Sequence, residues 1–304
     1  MNVYFNHAAR ASAVNSITWE GDLEQASRIV DITVYLEDIS DYIKPGTNVE
    51  IKEGTELIFD GKVYRSDLDE GKLLLKLRAY DPLYALAKSS INKKLKNMTA
   101  SQMTVEIAQE FELKCNSLVS CTEYQTIYAI GYNAYQVIKE AYDKEALALS
   151  SSINIVYDEG IKTFNSMESV VKDIFDSTTF IISSNAQESI ENVIIEATLI
   201  TDQGVVIETA INENDKLEYG LNMPRIAVVS SGDAKASDLL VYSERSNQIE
   251  CIGDIRCTTG KIIRIYEKRS NKIGRFLIES DTHQFNADGH TMQLNVKLIS
   301  IEGD

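Results

Sequence analysis

The sequence predicts a mainly β protein with a helix-rich insertion, and three patterns support this prediction. Apolar and polar residues alternate over residues 30–36 and again over residues 292–298, which is the period of strands with one buried face. Between these stretches, apolar residues recur every three or four positions over residues 100–112 and 133–146, as they do in amphipathic helices. We therefore expect two β-rich regions separated by a helix-rich segment.

The first β-rich region is predicted to span residues 1–82. Dipeptides that contain glycine recur along it and divide it into short strands. Among them, Asp60-Gly61 lies between LIF and KVY and predicts a two-residue hairpin turn. The run LLLKLRAY, residues 73–80, predicts a strand packed on both faces or nearly so. Short strands at this spacing are typical of a small barrel or sandwich.

The helix-rich segment is predicted to span residues 83–190. Asp81 before Pro82 indicates the start of a helix, because proline is tolerated in the first helical turn. Thr99 and Gln102 have the spacing of a capping box for a helix near residues 100–112. Asn133 is expected to cap a third helix, and residues 153–164 are expected to form a short hairpin.

The last region, residues 191–304, is predicted to be β-rich again. Two apolar runs flank Asp202-Gln203-Gly204 and predict a hairpin. Residues 234–242 have short helical spacing, and further strands are expected from Gln248 to the end. We therefore divide the chain into three predicted domains, residues 1–82, 83–190 and 191–304.

Composition limits the classes of partner. The 304 residues are 44% hydrophobic and 25% charged, an ordinary globular balance with ample core. The net charge of −16 argues against specific nucleic-acid binding and against attraction to anionic lipid. Residues 1–17 lack the pattern of a signal peptide, and the chain contains no run of 18 apolar residues. We therefore expect neither a nucleic-acid partner nor a membrane.

Signals for catalysis are weak. The sequence contains no G-x-S-x-G, H-E-x-x-H, P-loop or G-x-G-x-x-G motif, so we predict neither an enzyme nor a cofactor. The four cysteines form two pairs, each with five residues between its members, which is not a usual zinc spacing. We expect reduced structural thiols at Cys115, Cys121, Cys251 and Cys257.

The last hairpin, residues 274–298, contains the strongest candidate for a chemical site. Its turn is predicted at residues 286–289, which places Phe285 opposite His290 and makes His283 a diagonal neighbour of His290. Asp281 lies two residues before His283, on the same face of the strand. A metal site is therefore geometrically possible. We favour a polar cluster instead, because zinc sites usually need three or four ligands and no fourth candidate is near in sequence.

Several segments, in matching order, carry a family resemblance. These are ITWEGDLEQASRIVDITVYL at residues 17–36, LIFDGKVY at 57–64, ESIENVI at 188–194, LEYG at 217–220 and the closing DTHQF and HTMQL. With them the chain resembles the XkdQ/YqbQ family of baseplate hub proteins from contractile phage tails and phage-like particles, which is similar to the late control protein D family. The resemblance covers nearly the whole chain and is poorest over residues 150–187.

The resemblance implies a homotrimeric structural hub made of two tube-like β-barrel domains and an inserted helix-rich α/β domain. Such a hub joins the hexameric tail tube to a trimeric spike, nucleates tube assembly and contacts other baseplate proteins. It would assemble in the bacterial cytoplasm and then reside in the baseplate of a phage tail or a tail-like bacteriocin.

Five residues of these motifs have structural interpretations. Trp19, the only tryptophan, is expected in the core, with an interface anchor as the alternative. Gly21 and Asp22 are expected to form a turn before the first long strand. Tyr219 and Gly220 are expected to mark the end of a strand.

Two other functions stay open at this stage. A tail-associated cell-wall hydrolase could use acidic residues or the cluster of Asp281, His283 and His290. A carbohydrate-binding β-barrel would need an exposed aromatic platform, whereas most aromatic residues here fall at positions with core-like spacing.

Overall fold

The structure is a computed structural model that describes residues 1–6, 8–9, 14–37, 42–149, 152–220, 223–228, 235–241, 244–268 and 271–302. These residues form two compact units, Met1–Ser184 with Ile249–Asp304 and Asn185–Gln248. The fold is mainly β, as predicted. The predicted domain boundaries after residues 82 and 190 stay predictions. Within the described ranges, no helix combines the length and apolar character that a membrane crossing requires.

The described residues of the first β region form seven strands. Its alternating segment forms a strand whose alternate residues Val30, Ile32 and Val34 are buried, as the period of two requires. The strands are β1 (Asn2–Phe5), β2 (Ala8–Ala9), β3 (Val14–Asp22), β4 (Ile29–Tyr35), β5 (Asn48–Glu53), β6 (Glu56–Asp69) and β7 (Leu74–Tyr80).

Two predictions for this region are wrong. Asp60-Gly61 lies inside β6, and the hairpin turn is at Gly54-Thr55, where Gly54 has a φ of +60°. Gly61 is needed for another reason, since a Cβ there would collide with the Tyr80 carbonyl and the Phe59 ring. Strand β7 is buried on one face only, because its polar positions Lys76 and Arg78 are exposed.

Two helix caps predicted within residues 83–190 are present. Thr99 and Gln102 form the capping box, with the Thr99 N–H donating to Gln102 Oε1 at 2.9 Å, and Asn133 Oδ1 accepts from the Gln136 N–H at 3.0 Å. The elements are α1 (Leu83–Lys88), β8 (Ser90–Met98), α2 (Ala100–Glu110), β9 (Gln125–Asn133), α3 (Ala134–Leu149), β10 (Ile153–Tyr157) and β11 (Ile161–Asn165).

A single-turn 3-10 helix, Ser166–Glu168, leads into β12 (Val170–Asp176) and β13 (Ile181–Ser189). The smaller unit then contains β14 (Glu196–Ile200), β15 (Val206–Ile211), α4 (Glu213–Tyr219), β16 (Pro224–Val228) and the 3-10 helix Ala236–Leu239. The hairpin predicted around residues 202–204 is confirmed, because β14 and β15 pair antiparallel across it. Strand β16 pairs with β14 in parallel.

The chain ends with β17 (Glu244–Ile252), β18 (Ile262–Glu267), β19 (Lys272–Asn286) and β20 (Gly289–Glu302). These strands join the first β region in one 13-stranded sheet, whose main order is β13-β17-β20-β19-β3-β4-β7-β6-β5-β1-β2. Strand β18 pairs with β19 and β12. The link between the two β regions is the antiparallel pair β3–β19.

Among the described residues, three groups of buried side chains form cores in the larger unit. The buried members of the first come from β1–β7 and their connections, with Phe285 of β19 packed against them, and the second packs α1, α2 and α3 against β8 and β9. The third contains Cys251 and Cys257 together with Ile278 and Leu294 of the closing hairpin. All four cysteines are free thiols, and burial raises the pKa of Cys251 to about 12.

Candidate functional site

The closing hairpin has the predicted register. Phe285 lies opposite His290, His283 lies opposite Met292, and the turn closes with Asn286 opposite Gly289. Gly289 has a φ of +125°, which glycine adopts without steric cost. The predicted register is therefore confirmed, and it brings Asp281, His283 and His290 to one part of the hairpin.

The other edge of β19 pairs with β3, and this pairing gives the cluster its position in the fold. His283 lies opposite Trp19, and Asp281 lies opposite Gly21. The first and last β regions of the chain therefore meet at these residues. We call Trp19, Arg28, Thr259, Asp281, His283 and His290 the junction cluster.

A buried ion pair lies at the centre of the junction cluster. Arg28 donates from both terminal nitrogens to Asp281, Nη1 to Oδ1 at 3.0 Å and Nη2 to Oδ2. The backbone N–H and the hydroxyl of Thr259 both donate to Asp281 Oδ1 at 2.6 Å. Burial disfavours the charged carboxylate, but the Arg28 guanidinium and the Thr259 hydrogen bonds together hold the pKa of Asp281 below its usual value.

Aromatic contacts hold the arginine in place. The Arg28 guanidinium carbon lies 4.0 Å from the centre of the Trp19 ring, within the range of a cation–π interaction. A Cβ on Gly21 would collide with the Arg28 guanidinium. Gly21 is therefore required because the arginine side chain crosses the strand at this point. The predicted turn begins only after Gly21, where Asp22 Oδ1 accepts from the Glu24 N–H at 2.7 Å.

The hydrogen bonds determine the tautomers of the two histidines. His283 Nε2 lies 3.0 Å from the Cys257 carbonyl oxygen, which can only accept, so Nε2 carries the proton. Neutral His283 therefore accepts at Nδ1, and His290 Nε2 donates to it across 3.0 Å. Burial lowers the pKa of His283 to about 4, which keeps the ring neutral at pH 7.

These contacts favour the polar cluster over a metal site. Both ring nitrogens of His283 are engaged, and each Asp281 oxygen already accepts from Arg28. Asp281 and His283 are 1% and 0% exposed. Among the residues that the structure describes, no three His, Cys, Asp or Glu side chains are grouped as metal ligands would be.

The junction cluster also contacts the start of the helix-rich segment. The Arg28 backbone N–H donates to Asp81 Oδ2 at 2.8 Å, and Asp81 Oδ1 accepts from the Leu83 N–H at 2.9 Å, at the start of α1. Burial raises the pKa of Asp81 to about 7, although these two N–H groups favour its charged form. One arginine therefore connects β4, β19 and α1.

Sequence analysis missed Arg28, Thr259 and Asp81 as members of this site. The sequence contained a signal for Arg28, because strand alternation places it on the same face as the buried residues Val30 and Ile32. A charged residue at a position of that parity needs a buried partner.

Among the other predicted motif residues, Trp19 is a member of the junction cluster and lies opposite His283. Trp19 is 5% exposed and belongs to the first core. Tyr219 is the last residue of helix α4 and Gly220 follows it, so the predicted strand end is wrong. Gly220 has a φ of +63°, the left-handed conformation that commonly ends a helix.

A protein-family model described as YQBQ-like matches residues 17–297. The chain belongs to the YQBQ-like family. The matched residues include the whole junction cluster. No match was found among proteins with curated descriptions.

Solved structures share the fold of this YQBQ-like protein at low sequence identity. A 43 kDa tail protein of prophage MuSo2 from Shewanella oneidensis is 12% identical with a TM-score of 0.75, and the match covers 97% of each chain. A tail protein from Neisseria meningitidis is 13% identical with a TM-score of 0.71, over 97% of this chain and 95% of that one. The Escherichia coli c3393 protein, described as a type VI secretion component similar to phage T4 tail proteins gp27 and gp5, is 12% identical with a TM-score of 0.58, over 95% and 74%.

Acid should destabilise the YQBQ-like protein through His283. Its folded pKa of about 4 lies below its usual value of 6.5, so its contribution to stability is present above pH 6.5 and is lost as the pH falls through 4. We expect the difference in unfolding free energy between the wild type and His283→Gln to shrink by roughly 3 kcal/mol from pH 7 to pH 4. Urea unfolding at several pH values measures this difference, and Asp81 contributes equally to both proteins. A difference that stays constant with pH would contradict a neutral buried histidine.

Proposed function

We propose that this YQBQ-like protein is a structural hub of a contractile-tail baseplate, which joins the hexameric tail tube to a trimeric spike and nucleates tube assembly. The family match over residues 17–297 carries the proposal. Likeness of fold to two phage-type tail proteins over almost the whole chain supports it. The expected partners are two further copies of the chain, the tube protein, the spike and other baseplate proteins.

The junction cluster is suited to a structural protein that must withstand mechanical force. Strands β3 and β19 belong to the first and last β regions, and their pairing unites these regions in one sheet. Arg28, immediately before β4, forms a buried pair with Asp281 of β19 and packs over Trp19 of β3, and loss of one partner of such a pair is costly. A hub that transmits force from spike to tube needs its two β regions joined in this way.

We further propose that residues 1–82 and 191–304 act as two tube-like barrel domains, with residues 83–190 as the inserted domain. The separate cores of β1–β7 and of the helices support this division. Three subunits would then present six barrel domains to a sixfold tube, which resolves the mismatch with a threefold spike. The protein would assemble in the bacterial cytoplasm and remain in the baseplate of the finished particle.

A role as a cell-wall hydrolase is less well supported. The acid and histidine that it would need, Asp281 and His283, are buried and bonded to protein groups. A general acid or base must reach its substrate within hydrogen-bond distance. We therefore propose a role without catalysis, and zymography on purified peptidoglycan should show no clearing.

Assembly tests the proposal directly. The purified protein, mixed with the tube and spike proteins encoded beside it, should form threefold particles attached to tube ends in negative-stain electron micrographs. Light scattering should give the mass of a trimer. Monomers at every concentration, even with tube and spike protein present, would refute the hub function.

A further inference from the structure

Strands β8 and β9 form a two-stranded ribbon with an unusual outward face. On the inward face, Leu95, Ile127 and Ala129 are buried in the helical core. By strand alternation, the residues between them point outward. We call the outward side chains of Lys94, Lys96, Tyr128 and Ile130 the ribbon face.

The ribbon face is exposed and combines apolar side chains with lysines. Tyr128 is 57% exposed and Ile130 is 75% exposed, and Tyr124 and Tyr132 at the two ends of β9 are 64% and 52% exposed. The Lys94 ammonium lies 4.9 Å from the centre of the Tyr128 ring, so the lysine lies over the aromatic surface. Tyrosines and clustered aliphatic side chains at the surface are typical of protein interfaces.

The charge of the ribbon is opposite to that of the chain. The 18 residues of β8 and β9 contain three lysines and no acidic residue, whereas the whole chain has a net charge of −16. Lys93 pairs with Glu106 and Glu110 of α2. Lys94 and Lys96 are the exposed cations of the ribbon face. This face therefore complements an acidic protein surface, and a copy of this chain is such a partner.

We infer that the ribbon face binds an acidic surface of a second copy of this chain, an inference that rests on the proposed function. A basic face cannot pair with itself across a twofold axis, because like charges would meet. The contact must therefore be heterologous, with the ribbon face of one copy on a different surface of the next. A heterologous contact closes into a ring when its rotation allows, and a ring of three is the proposed state of the hub.

Sedimentation velocity over a dilution series tests this inference with full-length protein. We expect Lys94→Glu/Lys96→Glu to raise the dissociation constant of the trimer at least tenfold, and Tyr128→Ser/Ile130→Ser to do the same. Circular dichroism and urea midpoints near those of the wild type would show that these variants fold. The control Lys62→Glu/Lys172→Glu makes the same charge change at exposed lysines elsewhere and should leave the trimer intact.

The outcomes separate this inference from the hub function. A wild-type trimer that both ribbon variants retain would overturn the ribbon inference and leave the hub function standing. Ribbon variants that remain trimers but lose binding to tube or spike protein would also overturn it, by assigning the face to another partner. Binding of a labelled single-stranded DNA that is lost in the ribbon variants, with the trimer unchanged, would overturn it in favour of nucleic acid. A wild type that is monomeric throughout would refute both.

Discussion

Replacing Asp281 with alanine should cost the protein about 3–5 kcal/mol of unfolding free energy, because it leaves a buried charge without its partner. Arg28 would keep its contact with Trp19 but lose both hydrogen bonds to the carboxylate. The N–H and hydroxyl of Thr259 would lose their acceptor as well. Urea unfolding should show a lower midpoint with an unchanged slope.

The chain contains a matched control for this variant. Asp31 and Arg78 form another two-hydrogen-bond pair between neighbouring strands, with distances of 2.8 and 2.7 Å, but their side chains are 41% and 44% exposed. Asp31→Ala should therefore cost only about 0–1 kcal/mol, because water replaces the lost partner. Equal losses of unfolding free energy in the two variants would show that burial does not determine how strongly the Arg28–Asp281 pair stabilises the protein.

Replacing Glu145 with alanine should cost about 2–3 kcal/mol of unfolding free energy, since hydrogen bonds to a carboxylate are strong. Glu145 lies in α3 and is 0% exposed. Its carboxylate accepts from the backbone N–H groups of Thr122 and Glu123 at 2.9 and 3.1 Å. The variant should also exchange amide hydrogens faster over residues 116–124, a segment that Glu145 attaches to the helix.

Glu140→Ala on the same helix is the control. Glu140 is exposed and pairs with Lys144 at 2.7 Å, four residues away, so its removal should change the unfolding free energy by about 0.5 kcal/mol or less. Hydrogen exchange over residues 116–124 should match that of the wild type in this control. Unchanged exchange in Glu145→Ala would contradict the attachment of this segment through its carboxylate.

Local patterns predicted the individual elements well. The capping box of Thr99 and Gln102, the helix cap at Asn133 and the turn at residues 286–289 all form where their spacing placed them. Each of these depends on hydrogen bonds or backbone angles within a few neighbouring residues. Sequence alone therefore contains the information that determines them.

Local patterns failed where a distant part of the chain changed the role of a glycine. Asp60-Gly61 has the composition of a turn but continues a strand, because Gly61 must accommodate the Tyr80 carbonyl and the Phe59 ring. Gly21 was predicted in a turn, yet it lies in β3 under the Arg28 side chain. In both cases a neighbouring group that leaves no room for a Cβ explains why the position is glycine, and the backbone conformation of the glycine does not.

The sequence by itself determined the mainly β character of the chain, the capped helices after Thr99 and Asn133 and the register of the last hairpin, because all three follow from short-range periodicity, capping and turn chemistry. Only the tertiary structure decided the nature of the cluster at Asp281, His283 and His290. Its decisive partner, Arg28, is 253 residues from Asp281 in sequence and reaches it only through the pairing of β3 with β19. Strand pairing over that distance depends on the packing of the whole sheet, and no local pattern encodes it.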